Sequence, residues 1–171
     1  WMRFLFPVLG ALILGFVFEK LPVEKRSVGI VHLLDYLRFR KQQLPFSNAV
    51  VQFFGGLIAI VSGHSVDREG PGVHLGAANA ALIGRKMHLS DDEDYLLAAT
   101  GGAAAIAAAY NTPLAAVIFV IEVFRVRYAV NNIVPVIIAT VIGTVISRLV
   151  YGDHPAFTVP SFTSASDSIC A

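Results

Sequence analysis

Residues 64–74 read His64-Ser65-Val66-Asp67-Arg68-Glu69-Gly70-Pro71-Gly72-Val73-His74, and they decide how the rest of the chain is read. Gly70-Pro71-Gly72 opens an apolar run, and proline at a first helical position has its φ preset and lacks an N–H that would go unpaired anyway. A helix is expected to start here. The first backbone N–H groups of a helix have no intrahelical partner and together carry about half a positive charge, which suits an anion. Glycine on either side of Pro71 lets an ion approach that backbone. Glu69 stands where the same helix end would attract its own carboxylate, so it reads as a tethered competitor of a free anion. Ionised it blocks the site, and protonated or swung outward it clears it. The plainer reading of Asp67, Arg68 and Glu69 is a charged loop at a membrane surface. An ionisable group at membrane depth costs at least about 2.5–3.5 kcal/mol on insertion scales, which favours a pathway or mutual pairing.

Working outward, 56% of the 171 residues are hydrophobic and 15% charged, against about 25% charged in soluble domains. The chain reads as a membrane protein. A net charge of +1 gives no basic field for nucleic acid. The single cysteine, Cys170, allows neither an internal disulfide nor a cysteine metal cluster. Uncharged stretches run over 4–18, 42–66, 70–84, 95–121 and 128–147. A simple span needs about 20 apolar residues, so these uneven lengths, with joints at Gly70-Pro71-Gly72 and Asn111-Thr112-Pro113, predict discontinuous helices. The first stretch is expected to begin mid-helix, with no signal peptide ahead of it. Residues 151–171 form a polar, Ser-rich tail.

Between Glu19 and Lys41 lie six basic and three acidic residues, so that segment is expected to be a cytoplasmic loop. The acidic run Asp91-Asp92-Glu93-Asp94 is then placed outside and the turn with Arg125 and Arg127 inside. This parity requires the 42–66 and 70–84 stretches to make one crossing from two helices meeting near mid-membrane. Gly101 to Ala109, GGAAAIAAA, supplies small side chains for close helix packing. His64, Asp67, Glu69 and His74 match no zinc signature, and no metal or other cofactor is expected. No nucleophile–base set is visible either, so the chain is not read as an enzyme.

Arg68-Glu69-Gly70-Pro71, then Ala98-Ala99-Thr100-Gly101-Gly102-Ala103-Ala104-Ala105, Ala108-Ala109-Tyr110-Asn111-Thr112-Pro113-Leu114-Ala115 and Ile121-Glu122, with Gln52-Phe53-Phe54-Gly55-Gly56 upstream, resemble the CLC family of chloride channels and chloride/proton antiporters, in its bacterial branch. The resemblance covers about residues 1–150. It implies an all-α polytopic membrane fold built as inverted repeats and a homodimer in the full-length protein. It also implies residence in a bacterial inner membrane, with chloride as substrate beside other small anions, protons and lipid. By this resemblance Glu69 is the gating glutamate. The anion site then takes backbone amides and a turn from Val28, Gly29, Ile30, Arg68, Glu69, Gly70, Pro71 and Gly72, with Glu69 and Glu122 as candidates for a proton pathway.

The chain departs from the family pattern at several positions. Val28 replaces the usual anion-contacting serine, Val31 a proline and Asp67 a glycine. Val123 stands where proton-coupled members carry an internal glutamate, which favours a passive channel over an exchanger. Glu122 also has a structural reading, a pair with Arg125 one helical turn on. The chain is about half a family membrane domain, so the expectation is the first inverted repeat over 1–150 with six to seven helical segments. The readings left open are a voltage- or pH-gated anion channel, an antiporter with altered coupling, and a non-conducting structural or regulatory membrane subunit.

Overall fold

The computed structural model describes residues 2–22, 26, 29–39, 44–66, 69–127 and 129–152, and among these it is all helical, with no strand. Seven helices follow in order: α1 Met2–Lys20, α2 Gly29–Phe39, α3 Phe46–Val61, α4 Glu69–Lys86, α5 Asp91–Tyr110, α6 Pro113–Glu122 and α7 Val130–Tyr151. The joints fall where the backbone chemistry put them. Asn111 caps α5 in the left-handed region, φ 58°, which asparagine tolerates. Thr112 follows in a non-helical conformation and Pro113 opens α6. Val28, Asp67, Arg68 and the tail beyond Gly152 lie outside the described residues.

The packing is inside out relative to a soluble domain. Ala77, Ala78, Ala81, Ala98, Ala99, Ala103 and Ala107 are fully buried, while Phe6, Leu12, Phe16, Ile138, Ile142 and Ile146 stand more than half exposed. Among the described residues α7 alone is both long and apolar enough to span a membrane by itself, and α3 and α6 are shorter apolar helices. The small residues let backbones nearly touch. A Cβ on Gly76 would lie 2.6 Å from the Gly101 carbonyl oxygen, and one on Gly143 would lie 2.8 Å from that of Ala104. Such contact is how helices associate where lipid offers no hydrophobic drive between them.

The register of these contacts gives the topology. Gly76 meets Gly101 and Gly84 meets Leu97, so α4 and α5 are antiparallel. Gly143 meets Ala104, Thr144 Oγ1 donates to Ala107 O at 3.4 Å and Ser147 Oγ to Ala108 O at 2.8 Å, so α5 and α7 are parallel, with α6 returning between them.

Three expectations need correction. First, α3 and α4 do not join end to end as two halves of one crossing. His74 bonds Gln52 at 2.9 Å and Gly56 lies against Pro71, so the two helices lie antiparallel, side by side. Second, the turns at 85–94 and 125–127 are not on opposite sides. Asp92, Tyr95, Arg125 and Arg127 line one cavity of about 260 Å³, together with Leu37 and Asn132. Third, the supposed loop from Glu19 to Lys41 contains α2, whose buried Leu33 and Tyr36 seat it on the bundle. Tyr36 OH donates to Asp94 Oδ2 at 2.8 Å, and Arg85 Nε stands 3.8 Å from the same oxygen.

At that end α5 starts with a capping box formed by Ser90 and Glu93. Glu93 Oε2 accepts from the Ser90 amide at 3.0 Å and from the Ser90 hydroxyl at 2.6 Å, and these bonds hold the exposed Glu93 carboxyl below its usual range.

Candidate functional site

The first turn of α4 is flanked by two cavities. Gly70 and Pro71 line one of about 450 Å³ together with Ile30 and Val31 of α2 and Gln52 and Gly56 of α3. Glu69 and Gly72 line the other, of about 430 Å³, opposite Ala105, Ala108, Arg148 and Tyr151. The residues expected to bind an anion are thus brought together in part. Ile30, Gly70 and Pro71 share a wall, with Gly29 beside them as the first residue of α2. Glu69 and Gly72 face away from that wall, and Val28 and Arg68 fall outside the described residues.

Two helices, α2 and α4, begin at the 450 Å³ cavity, so the positive ends of both helix dipoles converge there. Gln52, Gly56, Gly70 and Pro71 add no formal charge to its lining. Partial charges without a fixed cation bind an anion reversibly, as conduction requires.

Behind this wall lies a buried polar chain. His74 is fully buried and His32 nearly so. Gln52 Oε1 is an acceptor, so His74 donates from Nδ1 at 2.9 Å, and its Nε2 accepts from His32 Nδ1 at 3.2 Å. The rings meet edge to face, with centroids 5.2 Å apart. One polar chain therefore ties α2, α3 and α4 directly behind the first turn of α4. His74 is hydrogen-bonded structure. His64 instead donates from Nδ1 to Ala59 O at 3.2 Å, folding back on the end of α3. Among the described residues no three His, Cys, Asp or Glu side chains are placed to hold a metal.

Glu122 is remote from Glu69. It ends α6, exposed at the charged end, roughly 15 Å along the ten-residue helix from the Asn111 joint. The expected Glu122–Arg125 pair is absent among the described residues, because α6 stops at Glu122 and Arg125 takes a left-handed φ of 54°.

The sequence reading missed Arg148 and Asn111. Arg148 Nε donates to Asn111 Oδ1 at 2.6 Å, bringing a guanidinium into the cavity that Glu69 lines. The signal available was an arginine closing an otherwise apolar helix and an asparagine at a helix joint.

A sequence model of the family described as voltage gated chloride channel matches residues 10–169. The H(+)/Cl(-) exchange transporter ClcA of Vibrio campbellii is 38% identical over 117 residues, which are 67% of this chain and 25% of that protein. ClcA of Vibrio parahaemolyticus is 37% identical over the same shares. ClcA of Cronobacter sakazakii is 30% identical over 167 residues, 96% of this chain and 36% of that protein. The chain therefore spans between a quarter and just over a third of the length of these relatives.

Proposed function

This chain belongs to the voltage gated chloride channel family, and from that membership we propose that it supplies one wall of a transmembrane chloride pathway gated by the Glu69 carboxylate. The observation that carries the proposal is the convergence of the α2 and α4 N-termini on the cavity lined by Ile30, Gly70 and Pro71, with Glu69 as the first residue of α4. Backbone amides there hold an anion by partial charge, and the carboxylate one residue away competes for the same field. The protein is a multi-pass membrane protein of the bacterial inner membrane, dimeric in its complete form, and chloride is its substrate rather than a cofactor. The large apolar side chains on the outer faces of α1 and α7 suit lipid or the rest of the protein.

Passive permeation is the reading that Val123 supports, since valine cannot carry a proton at the position beside Glu122. Exchange of chloride for protons is supported instead by the names of the relatives. In that case Glu69 and Glu122 are the candidate proton carriers, at opposite ends of the bundle. Simultaneous chloride and proton flux from the complete protein in liposomes separates the two. The gate itself is tested by chloride flux through Glu69→Gln across pH. The expected result is flux that no longer varies with pH, and a dependence as steep as the parent's would overturn the role of Glu69. No chloride flux from the complete parent protein would favour a structural or regulatory subunit.

A further inference from the structure

We propose that the cavity between the first turns of α5 and the turn at 124–127 binds the phosphate of an anionic membrane lipid, held by Arg125 and Arg127. The proposal needs the membrane setting of the chain and is independent of the reading of Glu69.

The site follows from the alternation Phe124-Arg125-Val126-Arg127 just past the end of α6. Phe124 is buried and Val126 packs against the core, while Arg125 and Arg127 are exposed. The backbone fixes this alternation. The amides of Val123 and Phe124 still donate to Phe119 O and Val120 O at 2.7 and 3.1 Å, and Arg125 then reverses the chain at its left-handed φ of 54°. Arg127 O accepts from the Ala129 amide at 2.7 Å and from Asn132 Nδ2 at 3.3 Å. These two bonds tie the turn to the start of α7.

Both guanidiniums therefore face one space. Arg125 and Arg127 line about 260 Å³ together with Asn132, several times the roughly 30 Å³ that a water occupies, so a phosphate group fits. Among the described residues no carboxylate pairs with either guanidinium. Their planar forks suit an oxyanion, which they can hold bidentately. Asp92 on α5 also lines the cavity and opposes an anion there, so its neutralisation belongs in the test.

Two observations favour a lipid over free phosphate. The remainder of the wall includes Leu37, Leu96, Phe124 and Val126, an apolar surface that suits glycerol and the upper acyl carbons. Asn132 stands in the first turn of α7, the helix long and apolar enough to span a membrane. The cavity is thus at the level where a spanning helix passes into the headgroups. Basic pockets between helices at that level recognise anionic headgroups, and each arginine near such a surface counts for about five-fold in affinity.

The test is retention of phosphatidylglycerol by the complete protein in detergent, read by native mass spectrometry, with phosphatidylcholine and inorganic phosphate as the other probes. The parent is expected to retain phosphatidylglycerol over phosphatidylcholine, and inorganic phosphate is expected not to displace it. Replacing both arginines, Arg125→Gln with Arg127→Gln, should weaken retention about 25-fold, five-fold for each charge. Asp92→Asn should strengthen it. Lys86 is exposed in the last turn of α4, at the same end and outside the cavity lining, so Lys86→Gln reports general surface charge. Unchanged retention in the double arginine variant, an equal loss in Lys86→Gln or a fall in Asp92→Asn overturns the proposal. Displacement by inorganic phosphate also overturns it, by making this a site for free anions. If the double variant does not assemble, the single changes are read instead, each expected to cost about five-fold, and no loss in either is equally fatal.

Discussion

His74 shows what a single buried polar side chain does in this bundle. It is fully enclosed, yet both ring nitrogens are bonded, to Gln52 on α3 and His32 on α2. A buried polar group costs most when its partner is removed and it is left unsatisfied, about 1–3 kcal/mol. His74→Leu is therefore expected to lower the thermal midpoint of the complete protein in detergent, with a loss of about 1–3 kcal/mol. Replacing His32 and His74 together should cost less than the sum of the single changes, because the two share one bond. Strict additivity in that cycle would show that the pair does not hold α2 against α4. At this scale the sequence was legible where chemistry is local. Glu69 does open a helix ahead of Gly70-Pro71, because proline and glycine set the backbone they occupy. Glu122 and Arg125 were misjudged, because a pair at helical spacing needs the helix to continue, and here it stops between them.

Between elements, the glycines set how closely axes approach. A Cβ on Gly101 would lie 2.5 Å from the Gly76 carbonyl oxygen and 2.6 Å from Ala80 Cβ, so no rotamer change can relieve it. Gly101→Ala is expected to force α4 and α5 apart at a cost of about 1–3 kcal/mol, typical of overpacking. A thermal melt of the complete protein reads this, and an unchanged midpoint would contradict the close approach. Gly15 makes a good control, since a Cβ there meets nothing within 4 Å. The helix joints were legible from Asn111-Thr112-Pro113 and Gly70-Pro71. α2 was not, because charge counting saw Asp35 and Arg38 as loop residues and passed over Leu33 and Tyr36 on the face that packs.

Across the whole molecule, the turns at 85–94 and 125–127 lie at one end, while Glu69, Asn111 and Arg148 lie around one cavity at the other. Thiol labelling tests this arrangement in a background with Cys170 replaced by serine. Asp91→Cys and Arg127→Cys should react with an impermeant reagent from the same face of sealed vesicles, and Thr112→Cys from the opposite face. Labelling of Asp91→Cys and Arg127→Cys from opposite faces would restore the alternating topology. Loop charges alone could not give this arrangement, since they count crossings without knowing that α3 lies beside α4 or that α6 returns between α5 and α7. The backbone contact between Gly76 and Gly101 has a last consequence. Carbonyl oxygens close enough to exclude a methyl group leave no gap between α4 and α5 for an ion to thread. Any conduit must then run along the outside of this pair, past the starts of α2 and α4, and be closed by a surface facing them. On the proposed reading of Glu69 the chain would then be a wall rather than a tube, facing an opposite bank.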